Sequence, residues 1–258
     1  MKVVILAGGL GTRLSEETNL RPKPMVEIGG FPILWHIMKI YSSYGFKEYC
    51  VALGYKGEVI KQFFLNYQAS SSDLSINLKT GEKQYYSSLQ EDWLIHLIDT
   101  GTNSQTGGRV FRLKHILTNE ETFMLTYGDG VSNVNIEQLL AFHHSHGKIA
   151  TITAVRPPAR FGALTIQENK IVDFHEKVQL HEGWINGGFM VFNRKVFNYL
   201  SHESDILEKG PLEQLAKEGE LMAFHHDHFW QPMDTLRDKE HLNALWSSGN
   251  APWKIWSK

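Results

Sequence analysis

The chain of 258 residues has a single cysteine, Cys50, and therefore cannot form an internal disulfide. Its 26 Lys and Arg residues face 28 Asp and Glu residues, so no basic excess is available to hold a polyanion such as nucleic acid. The apolar run at residues 3–7 is too short to cross a bilayer, and no charged leader precedes it. We expect a cytoplasmic protein that binds neither nucleic acid nor membrane, with Cys50 as a buried strand thiol.

Short apolar runs alternate along the chain with segments of helical periodicity. Residues 2–7, rich in β-branched side chains and followed by glycines, predict a strand buried on both faces, and residues 122–127 predict another. Apolar residues at positions 34, 37, 38 and 41 predict an amphipathic helix. Residues 70–98 break the alternation and predict an antiparallel excursion that returns to the main sheet. Without repeats or a linker, the pattern favours one α/β domain over residues 1–258, with a mixed sheet.

A glycine-rich loop, Leu-Ala-Gly-Gly-Leu-Gly-Thr-Arg-Leu at residues 6–14, directly follows the first strand. Its glycines let backbone N–H groups surround a phosphate without Cβ obstruction. Its spacing matches neither the dinucleotide fingerprint nor the P-loop. Arg13 lies inside the loop, and Lys23 follows between two prolines that stiffen the chain. The pattern favours a phosphate site with two cations; the alternative is a connecting turn with solvated basic residues.

The loop and the Arg-Pro-Lys-Pro-Met segment that follows it resemble the sugar-1-phosphate nucleotidyltransferases, which join a nucleoside triphosphate to a sugar phosphate. The resemblance implies a Rossmann-like three-layer fold with a mixed, mostly parallel sheet. It implies nucleotide binding in the N-terminal half and sugar binding in the C-terminal half. In that family the loop wraps the nucleotide, and the arginine and lysine hold its triphosphate. The corresponding nucleotide-binding residues here are Leu6, Ala7, Gly8, Gly9, Leu10, Gly11, Thr12, Arg13 and Lys23.

Two isolated aspartates are candidate ligands for Mg²⁺, which commonly takes one or two protein carboxylates and leaves its other positions to phosphates and water. Asp129 follows the strand at residues 122–127, where open α/β sheets place their ligands. Asp234 lies where the last helix is predicted to begin. Their alternative interpretations are a turn former for Asp129 and a helix N-cap for Asp234. The family resemblance implies that both bind the metal and that Gly128 contacts the nucleotide.

The sugar-binding candidates rest on the resemblance alone. Phe-His-Glu-Lys-Val at residues 174–178 resembles a family segment whose glutamate and lysine contact the sugar and its phosphate, although Val178 replaces the family's proline. A solvated surface lysine is the alternative for Lys177. The implied sugar-binding residues are Gly162, Glu176, Lys177, Asn186 and Gly187. The implied catalytic residues are Arg13, Lys23, Asp129, Lys177 and Asp234.

The segment from Asp99 to Arg109 resembles family members that use CTP and glucose 1-phosphate, with further support from residues 126–131, 185–189 and 229–239. Cytosine offers O2 and N3 as acceptors and arginine is purely a donor, so Arg109 is the candidate for base choice, with Thr102 and Ser104 adding polar contacts. A surface role for Arg109 is the alternative.

The sequence allows alternatives to this function. A preference for dTTP or UTP, a different hexose phosphate, and a non-catalytic nucleotide-sensing homologue are the alternatives. Family members are commonly oligomeric, which implies a homo-oligomer, and the CTP-using members imply a product that feeds 3,6-dideoxyhexose synthesis for O-antigen polysaccharide. The histidine clusters at residues 143–146 and 225–228 are expected to be solvated rather than metal-binding, since adjacent strand residues face opposite sides. No protein nucleophile is evident.

Overall fold

The computed structural model describes residues 1–86, 91–157, 163–167, 170–175 and 183–256. Its strands are β1 (Val3–Leu6), β2 (Glu27–Ile28), β3 (Phe31–Pro32), β4 (Glu48–Leu53), β5 (Leu74–Ile76), β6 (Lys83–Tyr85), β7 (Leu94–Asp99), β8 (Thr122–Tyr127), β9 (Gly130–Ser132), β10 (Ala150–Val155), β11 (Ala163–Gln167), β12 (Lys170–His175), β13 (Ile185–Asn193), β14 (Leu221–His226) and β15 (Trp230–Pro232). Its α-helices are α1 (Ser15–Thr18), α2 (Ile33–Ser43), α3 (Gly57–Leu65), α4 (Tyr67–Ser71), α5 (Thr106–Arg112), α6 (Lys114–Leu117), α7 (Ile136–His146), α8 (Pro211–Lys217) and α9 (Leu236–Ser247). Short 3-10 turns are formed by Thr12–Leu14, Lys23–Met25 and Arg194–Tyr199.

Seven strands form the central sheet in the order β14-β10-β13-β8-β1-β4-β7. β1 is hydrogen-bonded in parallel to both β4 and β8, and β13 is the one strand of this sheet that runs antiparallel to its neighbours. The mixed, mostly parallel sheet predicted from the sequence is confirmed. Strands from both halves of the chain join this one sheet.

The central strand β1 supplies side chains to both faces of the sheet because successive residues of a strand point in opposite directions. Val3 and Ile5 pack into one hydrophobic core, and Val4 and Leu6 pack into the other. Both cores are covered by helices, with α2 on the first and α5 on the second. The sequence of a strand buried on both faces is a continuous apolar run, which explains why β1 was predictable.

The predicted helix around residues 34–41 is α2, and all four of its predicted core positions are buried. It ends before Gly45, whose φ of +83° is a conformation that favours glycine at a helix C-terminus. The predicted excursion at residues 70–98 contains the antiparallel β5–β6 hairpin and returns to the sheet as β7, parallel to β4. These predictions are confirmed.

Two histidines expected at the surface are buried instead. The ring of His143 contacts the Thr151 hydroxyl at 2.8 Å, and the His226 Nε2 atom lies 3.1 Å from the Ser132 hydroxyl. Each ring has a polar partner, which offsets the cost of burying it.

Cys50 is buried, as predicted, and burial raises the pKa of its thiol to about 12. Among the described residues, no group of three or more His, Cys, Asp or Glu side chains converges as a metal site. In the described part of the chain, no helix is long and apolar enough to span a membrane.

A buried histidine in α2 makes the stability of the fold sensitive to pH. His36 Nε2 lies 2.8 Å from the Ile28 carbonyl oxygen, and the Trp253 indole N–H donates to His36 Nδ1 over 3.3 Å. Both contacts suit the neutral ring with its proton on Nε2. Burial lowers the pKa of His36 to about 4 from an ordinary value of 6.5. Between these values the unfolded chain binds a proton that the folded chain does not, so stability falls as the pH falls.

We expect the contribution of His36 to lower the free energy of unfolding by about 2 kcal/mol at pH 5 relative to pH 7. Urea denaturation across this range measures the slope, and His36→Gln is expected to reduce it. His144→Gln, at an exposed position on α7, is the control and is expected to leave the slope unchanged. An unchanged slope in the His36 variant would contradict this assignment.

Candidate active site

A cavity of about 490 Å³ lies at the carboxyl end of β1 and β8, where open α/β sheets bind their ligands. The residues that line it come from the glycine-rich loop, the start of α5, the end of β8 and the segment before α9. They are Leu6, Ala7, Gly8, Gly9, Gly11, Thr12, Arg13, Lys23, Pro24, Ser104, Gln105, Thr106, Arg109, Tyr127, Gly128, Asp129, Trp230, Pro232 and Asp234.

The glycine-rich loop turns sharply after β1 and carries Arg13 back over the cavity. Gly11 has a φ of +64°, a conformation that costs little only for glycine, and the 3-10 turn begins at the next residue. Pro22 is extended, and a second 3-10 turn with a proline inside it begins at Lys23. Lys23 is therefore held in a rigid segment, and it is buried while Arg13 is largely exposed.

Two cations and two carboxylates form an ion-pair chain in the order Arg13, Asp234, Lys23, Asp129. Arg13 Nη1 donates to Asp234 Oδ2 over 2.7 Å, and Lys23 Nζ donates to Asp234 Oδ1 over 2.6 Å. Lys23 Nζ also donates to Asp129 Oδ2 over 2.7 Å. The formal charges in the chain cancel, which permits these groups to lie close together in a partly buried site.

The N-cap interpretation of Asp234 is wrong. The N-cap of α9 is Thr235, whose hydroxyl accepts from the backbone N–H of Asp238 over 3.2 Å. The Asp238 carboxylate accepts in return from the Thr235 backbone N–H over 2.9 Å, which completes a capping box. The carboxylate of Asp234 is thus not used as a cap and faces Lys23 and Arg13.

A short antiparallel pair of strands brings the two aspartates together across 105 positions of sequence. β9 pairs with β15, with Gly130 opposite Pro232, and the Met233 backbone N–H donates to the Asp129 carbonyl over 2.8 Å. Asp129 directly precedes β9 and Asp234 lies just beyond β15, so the pairing fixes both side chains at one end of the ladder. This arrangement is a tertiary contact with no local signal in the sequence.

The two carboxylates contact the same ammonium atom, so oxygens from both lie around one point beside the cavity. An all-oxygen set of two carboxylates, open to the cavity, suits Mg²⁺ better than Zn²⁺, which prefers nitrogen and sulfur ligands. The residues present therefore fit a divalent cation whose remaining ligands are phosphate oxygens and water.

Arg109 is buried beside the glycine-rich loop, and protein oxygens surround its guanidinium. Nη1 donates to Leu53 O over 3.0 Å, to Thr100 Oγ1 over 2.9 Å and to Gly101 O over 2.8 Å. Nη2 donates to Gly8 O over 2.8 Å. A second contact of Nη2, at 3.3 Å, is with the carbonyl oxygen of residue 102. Burial lowers the pKa of this guanidinium. The geometry favours a role in tying loops together over direct contact with a base.

The structure brings most of the predicted nucleotide-binding residues to the cavity. The exceptions are Leu10, which is exposed and outside the lining, and Thr102, which also lies outside it. Ser104 lines the cavity, and its hydroxyl donates to the Thr100 carbonyl oxygen. Residues that the sequence interpretation missed are Pro24, Gln105, Thr106, Tyr127, Trp230 and Pro232. Tyr127 and Trp230 had a signal, since each is an aromatic residue adjoining a segment that carries a predicted aspartate.

Of the predicted sugar-binding residues, Gly162, Glu176 and Lys177 lie outside the described residues. Asn186 and Gly187, at the start of β13, do not line the cavity but contact residues that do. Asn186 Nδ2 donates to the Tyr127 hydroxyl over 3.3 Å. Trp230 Nε1 donates to Gly187 O over 2.7 Å. The start of β13 therefore supports the cavity wall formed by Tyr127 and Trp230.

Comparison with known proteins adds independent findings. Residues 2–236 match the protein family described as nucleotidyl transferase. Glucose-1-phosphate cytidylyltransferase of Salmonella typhi is 52% identical over 99% of this chain and 100% of its own length. A probable glucose-1-phosphate cytidylyltransferase of Bacillus subtilis is 44% identical over 99% of this chain and 100% of its own length.

Solved structures support the fold. A putative glucose-1-phosphate thymidylyltransferase from Bacillus anthracis has a TM-score of 0.67 at 18% identity, covering 100% of this chain and 98% of that one. HddC from Yersinia pseudotuberculosis has a TM-score of 0.67 at 22% identity, covering 95% of this chain and 99% of that one. At these identities the likeness concerns the architecture of the sheet and its helices.

Proposed function

The chain belongs to the nucleotidyl transferase family, and from that premise we propose that it transfers a cytidylyl group from CTP to α-D-glucose 1-phosphate. The products are CDP-glucose and pyrophosphate. The observation that carries the proposal is the ion-pair chain: two cations and two carboxylates meet the glycine-rich loop at one cavity. The identity of 52% over the full length of the Salmonella relative supports the choice of substrates.

The reaction is a direct displacement at phosphorus. An oxygen of the sugar phosphate attacks the α-phosphorus of CTP and forms the new P–O bond, while the bond from the α-phosphorus to the oxygen bridging to the β-phosphate breaks. Pyrophosphate leaves with that bridging oxygen and its electron pair. Because both reactants are anions, the site must offset their repulsion and align the attacking oxygen with the phosphorus. Charge neutralisation and alignment are the two main sources of rate enhancement in phosphoryl-type transfer.

The residues of this chain supply cationic groups and backbone donors for these tasks. The glycine-rich loop, Arg13 and Lys23 line the same cavity. The loop backbone is proposed to bind phosphates, and Arg13 and Lys23 are proposed to balance the negative charge on pyrophosphate as it departs. Lys177 is proposed to hold the sugar phosphate and Glu176 the sugar, on the resemblance alone. Asp129 and Asp234 are proposed to hold Mg²⁺, which when bound would neutralise phosphate charge and act as a Lewis acid.

Lys23 occupies the position between the two carboxylates where a cation is needed. Its ammonium balances their charges, so the two aspartates are held close together at low cost. When phosphate oxygens enter the cavity, the same ammonium has a second set of anions to bind. Lys23 is thereby proposed both to neutralise the two carboxylates and to bind the triphosphate.

Further expectations accompany this proposal and rest on the sequence resemblance. They are homo-oligomeric assembly, a cytoplasmic location, and a product that feeds 3,6-dideoxyhexose synthesis for O-antigen. The sequence resemblance also implies a direct contact between Arg109 and cytosine. The hydrogen bonds of Arg109 to Gly101 O and Gly8 O favour instead an indirect effect through the loops that it joins.

The test is pyrophosphate release by the purified protein with Mg²⁺ and glucose 1-phosphate, comparing CTP, dTTP, UTP and ATP at equal concentration. We expect release with CTP well above the others, and loss of release in EDTA with recovery on adding excess Mg²⁺. A preference for dTTP or UTP would retain the chemistry and overturn the base assignment. Binding of CTP without release from any nucleotide would overturn the enzyme and support a nucleotide-sensing homologue.

A further inference from the structure

Glu208 lies in the segment between the last 3-10 turn and α8, and its carboxylate joins two walls of the cavity. One oxygen, Oε2, accepts from the Thr106 hydroxyl over 2.6 Å, and Oε1 accepts from the Tyr127 hydroxyl. Thr106 and Tyr127 both line the cavity, whereas Glu208 does not. Thr106 is the first residue of α5 and Tyr127 is the last residue of β8.

The direction of each hydrogen bond in this group is fixed by chemistry. An ionised carboxylate only accepts, so both hydroxyls must donate to Glu208. The Tyr127 oxygen then has lone pairs free to accept from Asn186 Nδ2 at 3.3 Å. This leaves Asn186 Oδ1 to accept from the Gly188 backbone N–H, at 2.8 Å. Reversing the Asn186 amide would break both of its bonds.

A second bond ties the segment that carries Glu208 to α5. The Leu207 backbone N–H donates to Thr106 Oγ1 over 2.9 Å, so the Thr106 hydroxyl both donates and accepts within this segment. The contacts run without a break from the first turn of α5 through Glu208 and Tyr127 to the start of β13. Burial and the neighbouring Glu208 carboxylate both raise the pKa of the Tyr127 phenol, which keeps it protonated as a donor.

We infer that Glu208 is a positioning residue that sets the Tyr127 wall of the cavity relative to α5. Because Tyr127 contacts Asn186, a predicted sugar-binding residue, Glu208 thereby fixes where the sugar phosphate sits. The inference rests on the proposed function for the identity of the substrate. Glu208 acts through the Tyr127 hydroxyl, so removing either partner should have the same consequence. A glutamine at this position replaces one acceptor oxygen with an N–H₂ donor, so one of the two hydroxyls can no longer donate to it.

The test compares Glu208→Gln, Tyr127→Phe and the double variant in steady-state pyrophosphate release. A lost hydrogen bond to a charged group of this kind corresponds to about a tenfold effect. We expect each single variant to lower kcat/KM for glucose 1-phosphate about tenfold, chiefly through KM, and the double variant to show no further loss. KM for the nucleotide should change less than about twofold. Glu213→Gln, at an exposed position on α8, is the matched control.

Additive losses in the double variant, or equal losses with nucleotide and sugar phosphate, would overturn the inference and indicate a merely structural role. Hydrogen–deuterium exchange gives a readout independent of turnover. We expect Glu208→Gln to raise exchange in residues 106–112 and 185–192, whereas unchanged exchange there would overturn the inference. An inactive wild-type protein would contradict the proposed function and leave this exchange comparison to decide the role of Glu208. Glu208→Asp, which keeps the charge, replaces the glutamine variant should the latter fail to fold.

Discussion

Replacing Asp129 or Asp234 with asparagine is expected to lower kcat by about a hundredfold or more while the fold is retained. Each substitution keeps the size of the side chain and removes a negative charge that the proposed Mg²⁺ site requires. Loss of one preorganised electrostatic contact at a reacting phosphorus or carbonyl centre typically costs 10²–10³ in rate (roughly 3–4 kcal/mol). Pyrophosphate release across a range of Mg²⁺ concentrations measures the effect.

The two substitutions should differ in their effect on the melting temperature. Asp234 contacts both Arg13 and Lys23, whereas Asp129 contacts Lys23. Asp234→Asn therefore leaves two cations with a reduced counter-charge and should lower the melting temperature more than Asp129→Asn. Circular dichroism and thermal denaturation measure this difference. Asp227→Asn, at an exposed position, is the control. Turnover near the wild-type rate in either active-site variant, with normal Mg²⁺ dependence, would refute the metal assignment.

Arg109→Lys is expected to lower kcat/KM about a hundredfold, and by the same factor for every nucleotide that the enzyme accepts. The arginine fork reaches oxygens on the glycine-rich loop, the end of β4 and the loop after β7 at once. A lysine ammonium is a single point with three donors and cannot span them, so several of the hydrogen bonds between these loops and the guanidinium are lost. Each lost hydrogen bond to a charged group costs about 1.5–3 kcal/mol.

The ratio of CTP to UTP use distinguishes the two roles of Arg109. A residue that holds loops together affects both nucleotides equally, so the ratio is expected to stay within about twofold of the wild-type value. A direct contact to cytosine would instead collapse the ratio towards one, and that outcome would restore the base-reading hypothesis. Arg112→Lys is the matched control, since this residue lies on the same helix with an exposed ion pair to Glu203.

Space around Arg109 gives a packing reason for glycine at positions 8 and 54. A Cβ atom added to Gly8 would overlap the guanidinium, and one added to Gly54 would do the same. Both glycines thus make room for a side chain from a distant helix. The sequence interpretation explained the loop glycines by phosphate binding, and the structure adds close packing against an arginine as a second reason for Gly8.

The regular elements were predictable because their causes are local. β1 is a continuous apolar run because both of its faces are buried. α2 has four spaced apolar positions because one of its faces is buried. Apolar residues at positions 60, 63, 64 and 67 have helical spacing and predict one continuous helix. The structure instead breaks it at Asn66 into α3 and α4, and of these four positions only Ile60 is fully buried. Short β9 and β15 were missed, because strands of three residues carry almost no periodicity.

By itself, the sequence determined the type of elements such as β1, β8 and α2, the glycine-rich loop after β1 and the presence of two cations and two carboxylates suited to phosphates. These depend on residue type and on spacing within a few positions. Only the tertiary structure decided that Asp129 and Asp234 meet on Lys23, that Arg109 is enclosed by carbonyl oxygens, and that Glu208 joins Thr106 to Tyr127. The contacts of Lys23 and Glu208, and that of Arg109 with Gly8, join residues 81 to 211 positions apart. Strand pairing and packing of the whole sheet, rather than local propensity, bring such residues within hydrogen-bonding distance.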